Sequence, residues 1–395
     1  MDRNQSNYAV RKLIAKYSHT DPDNWFLTFR ARLGMAICFQ AIYDIYGSGE
    51  VITQPYTCIT AVNPILVSNL KPVYTDIDPK TLSIDNPKKL YNSKTVAIVL
   101  QHTLGIMSGE TQEIANFAKK HHLILIEDSA HCLTRMATDN SGNVLADISI
   151  HSFGVEKVLQ STKFGGAIYV NPTLKKKDAK LYNEITSRLQ GLPQPPRGLD
   201  LRSRTYRFQN GLLHRLPNSM FHNIRNLAYR AHIFELAVAP YEQDAEQSPP
   251  YASTKFINET ILKYLPSLPS VYEKRLKNTL IYNKKLSTNS SFKQITQTKE
   301  PLLAYPILFK DAASATKAYD VLTSSGFFIR RWYSPLLYPG PISNRRYNYN
   351  QKMSPIAEDM QARVLCLPTD LSSEKMERIL VILQSAEKTK KQKAS

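Results

Sequence analysis

Hydrophobic residues along the first two-thirds of the chain follow two alternating periods, one typical of helices and one typical of strands. Helical spacing runs from Phe29 to Ile45, from Thr60 to Asn69 and, in amphipathic form, from Glu110 to His121. Between and after them lie short aliphatic and β-branched runs: EVITQPYTC, KPVYTDID, TVAIVLQH, LILIED, ISIHSF and FGGAIYV. Strands that alternate with helices predict a mostly parallel sheet with helices on both faces. In such α/β domains the chemistry lies at the carboxyl ends of the strands.

The last third of the chain has a different pattern, which predicts a second, smaller domain. Residues Phe256 to Leu286 are largely helical in spacing, and a helix from Ser373 to Ser385 closes the pattern. Between them LLAYPILF, SSGFFIRRWY and RVLCLP indicate strands. We therefore expect a large domain over residues 1–250 and a small α+β domain with a basic tail over residues 251–395.

Length and cysteine content agree with this division and indicate an intracellular protein. The chain has 395 residues, of which 42% are hydrophobic, enough for two domains without disulfide bridges. Its cysteines show no CxxC pair and no metal-ligand spacing, so we expect reduced thiols and no metal site. The N-terminus lacks the apolar segment of a signal peptide, and no apolar run is long enough to span a membrane. These features predict a soluble, cytoplasmic protein.

The net charge of +18 is the unusual feature of the composition. From Arg188 to Arg230 there are eight arginines against one acid, Asp200, within a basic insertion of about residues 188–235. Its first part, GLPQPPRGLDLRSR, indicates a loop. The stretch is either a solvated surface or a contact for phosphates, on a substrate or on an anionic membrane. Nucleic acid is the less favoured partner, because no helix-turn-helix, RNP or zinc pattern is present.

Two segments, LILIEDSAH and HSFGVEKVLQSTKFGG, carry the candidate chemistry. The first brings Asp128 to the end of a buried strand, and the second places Ser152 at a strand end and Lys157 on the loop that follows. Taken singly, the aspartate is a helix cap and the lysine a surface charge. Together they fit a lysine whose depressed pKa lets it attack an aldehyde, and a carboxylate that holds a cationic ring nitrogen. Pyridoxal 5'-phosphate needs both groups.

The order of the motifs GSGEVITQPYTCITAVNPIL, KPVYTDIDPKTLSID, TVAIVLQHTLG, LILIEDSAH, SFGVEK and FGGA resembles the DegT/DnrJ/StrS-type sugar aminotransferases. IRRWYSPLLYPG and MSPIAEDMQARVLCLP resemble the C-terminal motifs of that family. The resemblance implies the fold-type-I aminotransferase architecture, a homodimer and a pyridoxal-phosphate cofactor. It also implies that Lys157 is the Schiff-base lysine and general acid/base and that Asp128 is the partner of the pyridine nitrogen. By the same resemblance, His131 lies beside the ring and Ser152 binds the cofactor phosphate.

The chain departs from the family pattern at several positions. Cys58 stands where the family often has an aromatic residue that stacks on the ring. RARLGMA replaces the usual Ser-Gly-Thr or Ser-Gly-Arg turn, which makes Arg32 and Gly34 candidate phosphate contacts at a helix N-terminus. A GYN-type motif is not recognisable around SPPYAST. Three further residues are candidate substrate contacts, with a core or surface role as the alternative for each: His102, Arg331 and Tyr333.

The resulting hypothesis is a transaminase that moves an amino group from an amino acid, with glutamate as the expected donor, to an anionic keto-sugar linked to a nucleotide. One alternative keeps the fold and cofactor but changes the reaction to dehydration or the substrate to a lipid-linked or peptidyl one. The family's dehydratase branch has His at the lysine position, so Lys157 argues against that branch. The other alternative is a non-catalytic basic binding protein, in which Asp128, Ser152 and Lys157 would have no task.

Overall fold

The computed structural model describes residues 1–287 and 292–391, and its larger sheet has seven strands. In chain order they are β1 (Trp25–Thr28), β2 (Glu50–Thr53), β3 (Lys71–Tyr74), β4 (Thr95–Gln101), β5 (Ile124–Asp128), β6 (Ile148–Ser152) and β7 (Gly166–Val170). Their spatial order is β1-β7-β6-β5-β4-β2-β3. Strands β2 to β6 are parallel, whereas β7 runs antiparallel to both β6 and β1. The predicted mostly parallel sheet is confirmed.

The strands are buried because helices cover both faces of the sheet. Every residue of β1, β5, β6 and β7 is buried, which explains why β1 and β7 are largely apolar without alternation. The helices of this part of the chain are α1 (Arg3–Ser18), α2 (Ala31–Tyr46), α3 (Ile59–Val67), α4 (Thr111–Lys120), α5 (Pro172–Lys177), α6 (Ala179–Gln190), α7 (Arg197–Leu213), α8 (Asn218–Arg230) and α9 (Lys255–Tyr264). Helices α2, α3 and α4 confirm the three helices predicted from apolar spacing.

The arginine-rich stretch forms a helical hairpin of α7 and α8, so the predicted loop is confirmed for residues 191–196 and wrong for residues 197–204, which belong to α7. Pro196 precedes the first turn of α7, and Asp200 lies within that turn, where a negative charge favours the helix N-terminus. The prolines and Gly191 that suggested a loop all lie before the helix. The hairpin leaves several large apolar side chains exposed beside its arginines: Leu201, Phe208, Leu212, Met220 and Leu227.

The smaller sheet consists of β8 (Phe292–Gln294), β9 (Ala304–Phe309) and β10 (Val364–Pro368), antiparallel in the order β10-β9-β8. It packs with the helices α10 (Leu268–Lys285), α11 (Ala312–Ser324), α12 (Pro355–Arg363) and α13 (Ser373–Lys391). The large sheet lies wholly before residue 250 and the small sheet wholly after it, while the exact domain boundary stays a prediction. The last residues of the basic tail, 392–395, lie outside the described residues.

The strand predicted from SSGFFIRRWY is wrong. Helix α11 continues to Ser324, Gly326 then turns the chain with a φ of +85°, and only Arg330 bridges to Cys366 on β10. The segment leaves the edge of the small sheet because its next two residues, Trp332 and Tyr333, are buried against the large domain. Of the helices in the described ranges, none is long and apolar enough to span a membrane.

Candidate active site

A cavity of about 360 Å³ lies where the carboxyl ends of the central strands meet. Register places Gln101 at the end of β4 beside Asp128 at the end of β5, and Ser152 ends the neighbouring β6. Lys157 reaches the same cavity from the loop between β6 and β7. Five of the six predicted cofactor residues line it together: Lys157, Asp128, His131, Ser152 and Cys58.

Lys157 and Asp128 both face the cavity. In the described part of the chain, the Lys157 ammonium makes no hydrogen bond or ion pair, and its Nζ lies 5.8 Å from the centre of the Trp332 ring. Burial lowers the pKa of Lys157 below its ordinary value, although the Asp128 carboxylate opposes that shift. Burial likewise raises the pKa of Asp128, against the opposing effect of Lys157. Asp128 Oδ1 accepts a 3.0 Å hydrogen bond from the Ala130 amide, which leaves Oδ2 available to a ligand.

The His131 imidazole is fixed in one tautomer by its surroundings. Its Nδ1 accepts a hydrogen bond from the Leu104 amide at 3.0 Å, and its Nε2 lies 3.2 Å from the Tyr333 hydroxyl. Burial, together with Lys157, lowers the pKa of His131 far below its ordinary value, so the ring is neutral. A neutral ring that accepts at Nδ1 carries its proton on Nε2 and donates it to Tyr333. The Tyr333 hydroxyl therefore keeps its own proton for a ligand.

The N-terminus of α2 forms another wall of the cavity. Gly166 at the start of β7 makes this possible, because a Cβ there would lie 2.4 Å from the Ala31 Cα. The first amides of the helix provide the hydrogen-bond donors that phosphates bind. Ser152 Oγ, which accepts from the Gly154 amide at 3.1 Å, can donate its proton to the same ligand.

Arg32 and Gly34 have separate positions on α2. Arg32 lines the cavity, and its Nε pairs with Glu242 at 2.6 Å. Gly34 does not line the cavity; it packs against β7, where an added Cβ would lie 2.5 Å from Ile168 Cγ1. The glycine thus sets the distance between helix and sheet.

Of the three candidate substrate contacts, only Tyr333 lines the cavity. His102 is fully buried behind it, with its Nε2 2.6 Å from Glu127 Oε1. Burial raises the pKa of Glu127, but hydrogen bonds from His102, Ser149 and the Ala137 amide lower it more, and the net shift is downward. Arg331 donates to the Ala362 carbonyl at 3.1 Å, away from the cavity.

Sequence reasoning missed several lining residues that come from distant segments. The loop after Tyr333 joins the start of α3: the Tyr338 amide donates to the Thr57 carbonyl at 2.8 Å, and the Ile59 amide donates to the Tyr338 carbonyl at 2.9 Å. The helical hairpin contributes Tyr206 and Arg225. The apolar residues between the arginines were the available signal, because they show that one side of the hairpin packs on the protein.

Comparison with known proteins adds independent evidence. The sequence profile of the DegT/DnrJ/EryC1/StrS aminotransferase family matches residues 31–192 and 260–384. A dTDP-4-amino-4,6-dideoxy-D-glucose transaminase of Shigella dysenteriae is 38% identical over 155 residues, 38% of this chain and 41% of that protein. The enzyme of the same name from Escherichia coli is 25% identical over 353 residues, which cover 85% of this chain and 79% of that protein.

Among solved structures, NtdA from Bacillus subtilis, with bound cofactor PMP, has a TM-score of 0.71 at 17% identity. The match covers 97% of this chain and 77% of that one. At this identity the likeness shows the fold, which is the α/β fold-type-I aminotransferase architecture.

Proposed function

The chain belongs to the DegT/DnrJ/EryC1/StrS aminotransferase family, and from that premise we propose that it is a pyridoxal 5'-phosphate-dependent aminotransferase. The proposed donor is an amino acid, with glutamate expected, and the proposed acceptor is a keto-sugar linked to a nucleotide. The observation that carries the proposal is a pair of side chains that face one cavity: the half-buried Lys157, which makes no hydrogen bond or ion pair within the described residues, and the buried Asp128, whose Oδ2 is available to a ligand.

The residues present fit the cofactor. Asp128 Oδ2 can accept from a protonated ring nitrogen, and Ser152 with the first amides of α2 can hold a phosphate. Lys157 offers an amine for the covalent link to the aldehyde carbon. A cavity of about 360 Å³ lies within the range of small-molecule sites, roughly 300–1,000 Å³. The PMP bound in a structure of the same fold supports this assignment.

Each side chain has a task that follows from its surroundings. When bound, the cofactor supplies an electron sink for the carbon that loses its proton. The amine of Lys157, whose pKa is lowered by burial, would accept that proton and return it to the carbon that was the cofactor's aldehyde carbon. Asp128 holds the ring nitrogen positively charged. Tyr333, oriented by His131 Nε2, directs a hydroxyl proton into the cavity.

The partners and the location belong to the proposal as well. The two transaminase relatives support a dTDP-linked sugar as acceptor. The homodimer is proposed from the family resemblance, and sedimentation velocity tests it directly. The cytoplasmic location is proposed from the scattered cysteines and the N-terminal sequence. Peripheral contact with an anionic membrane is supported by exposed Leu201, Phe208 and Leu227 among the arginines of the hairpin, and cosedimentation with phosphatidylglycerol vesicles tests it.

The cofactor assignment is tested by absorbance and peptide mapping. The purified protein, incubated with pyridoxal phosphate, should absorb in the visible range, and glutamate should shift that band. Borohydride reduction followed by proteolysis should place the cofactor on the peptide that carries Lys157. Lys163 also lines the cavity and serves as the internal control. An adduct on Lys163, or a protein that never acquires the visible band, would refute the proposed function.

A further inference from the structure

The cavity wall carries more cationic side chains than carboxylates. Within the described ranges its lining includes five cationic side chains, Arg30, Arg32, Lys157, Lys163 and Arg225, against two carboxylates, Asp128 and Glu156. Lys157 and Asp128 are assigned to the cofactor, and Glu156 pairs with Arg330 at 3.3 Å. The remaining cations fall into two groups, those that pair with a carboxylate and those that do not.

Arg30 and Arg32 are paired. Arg30 contacts Glu235 at 3.1 Å, and Arg32 contacts Glu242 at 2.6 Å, so both guanidinium groups hold the start of α2 against the segment after the hairpin. Their role in the fold accounts for their burial.

Arg225 and Lys163 have no such partner. In the part of the chain that the structure describes, neither side chain makes a hydrogen bond or an ion pair, and Arg225 Nε is buried without an acceptor. The Arg225 guanidinium lies over the Phe221 ring, 5.3 Å from its centre, which holds it in place without neutralising it. Burial lowers the pKa of Lys163 and the positive charges of Arg207 and Arg330 lower it further, whereas the Glu156 carboxylate opposes that shift without forming an ion pair with Lys163. Half-buried cations without a counter-ion are costly unless an anion binds there.

Tyr206 adds a neutral donor to the same region. It is buried between Phe164 and Phe234, at ring-centre distances of 5.4 and 5.1 Å, and it lines the cavity. Its hydroxyl makes no hydrogen bond within the described residues. Burial raises the pKa of Tyr206, while Arg30 and Arg225 lower it, which places these guanidinium groups near the hydroxyl.

We propose that Arg225, Lys163 and the Tyr206 hydroxyl form an anion subsite that receives the diphosphate of the amino acceptor. The inference rests on the proposed function and deepens it. Two cations and a hydroxyl suit a diphosphate better than a single carboxylate, which one arginine satisfies in bidentate fashion. Tyr206 and Arg225 lie on α7 and α8, in residues 193–259 that the family profile does not match, so two of the three groups of this subsite come from a segment outside the family profile.

The test measures binding of inorganic pyrophosphate to the cofactor-loaded protein by calorimetry. We expect Arg225→Gln and Lys163→Gln each to weaken binding at least about tenfold, since each loses a charge-assisted hydrogen bond. Arg230→Gln is the matched control, because Arg230 is exposed on the same helix and does not line the cavity. Its affinity should stay within about twofold of the parent, as expected for a distant, screened charge. Visible absorbance of each variant confirms that the cofactor remains bound.

Two further ligands, dTDP and geranyl diphosphate, show whether the diphosphate belongs to a nucleotide or to a lipid. Tighter binding of dTDP than of pyrophosphate identifies a nucleotide-linked acceptor, and tighter binding of geranyl diphosphate identifies a lipid-linked one.

Unchanged pyrophosphate affinity in both Gln variants overturns the subsite even if the parent transfers amino groups. Loss of cofactor from Arg225→Gln with normal pyrophosphate binding also overturns it, since Arg225 would then bind the cofactor phosphate. A parent that lacks the visible band refutes the enzyme assignment instead, and the subsite is then judged on pyrophosphate binding alone.

Discussion

Replacing Asp128 with Asn tests the electrostatic centre of the proposed mechanism with little change in shape. The amide is isosteric with the carboxylate, and its oxygen can still accept the 3.0 Å hydrogen bond from the Ala130 amide. What disappears is the negative charge at Oδ2, on a side chain that is only 7% exposed. The variant should therefore fold normally and load cofactor, but it cannot keep the ring nitrogen protonated.

The size of the effect follows from the burial of this group. A hydrogen bond to a charged partner contributes roughly 1.5–3 kcal/mol, and a preorganised group that stabilises a transition state contributes roughly 2.7–4 kcal/mol. About 3 kcal/mol corresponds to a rate loss of about two orders of magnitude. The charge also attracts the Lys157 ammonium, so its removal should lower the pKa of Lys157 further and move the acidic limb of the pH profile to lower pH.

A single-turnover assay separates this chemistry from binding. Cofactor-loaded protein is mixed with glutamate, and the decay of the visible band is followed as a function of pH. We expect normal cofactor affinity, a slower decay by about two orders of magnitude and a shifted acidic limb. A decay rate near that of the parent would remove Asp128 from the mechanism. A slow rate with an unshifted profile would instead assign Asp128 a structural role.

Three further predictions concern packing, pH dependence and the Tyr333 hydroxyl. Gly34→Ala should lower the free energy of unfolding by about 1–3 kcal/mol but retain cofactor affinity, because the added Cβ would lie 2.5 Å from Ile168 Cγ1. Urea titration measures the stability and cofactor titration the affinity. Lost affinity with normal stability would restore Gly34 as a phosphate contact. Burial lowers the pKa of His151 to about 4 from 6.5, so between these values the unfolded chain binds a proton that the folded chain does not. The His151 contribution to the free energy of unfolding should therefore fall by about 2 kcal/mol between pH 7.5 and 5, and His151→Gln should lose less stability over that range. An equal dependence of the free energy of unfolding on pH in parent and variant, measured by urea titration, would contradict this. Tyr333→Phe should slow the same single turnover about fivefold to tenfold by removing a hydrogen-bonding proton, and an unchanged rate would show that the hydroxyl is idle.

The parts of the molecule that depend on local pattern were predictable from the sequence. The strands that carry Asp128 and Ser152 are short, apolar and separated by helices, and parallel strands necessarily bring their carboxyl ends to one edge. The two glycines that follow the Lys157 loop likewise indicated close backbone approach, and at Gly166 the missing side chain does let the start of α2 pack against β7. These local signals yielded most of the predicted cofactor site.

The remaining parts depend on contacts between distant segments, which no local pattern encodes. His102 follows a strand just as an active-site residue does, yet Glu127 holds it in the core. The aromatic residues of SSGFFIRRWY are typical of a strand, but burial of Trp332 pulls that segment off the sheet edge. The predicted loop ran past the start of α7 because Pro196, which precedes the helix, looks the same in sequence as a proline within a loop.

The hydrogen bond between the Tyr56 hydroxyl and the Trp332 carbonyl, 2.5 Å long, joins residues 276 positions apart, and it has a consequence for biosynthesis. At roughly 5–20 residues per second, a ribosome adds Trp332 tens of seconds after Tyr56. The seven strands of the large sheet are all translated by Val170, so they are available to pair long before the cavity has its last wall. Between the synthesis of Val170 and that of Trp332, Lys157 and Asp128 of the nascent chain lack this wall of the cavity and are exposed to bulk water. The cavity therefore gains this wall only late in biosynthesis, when the segment around Trp332 docks on the large sheet.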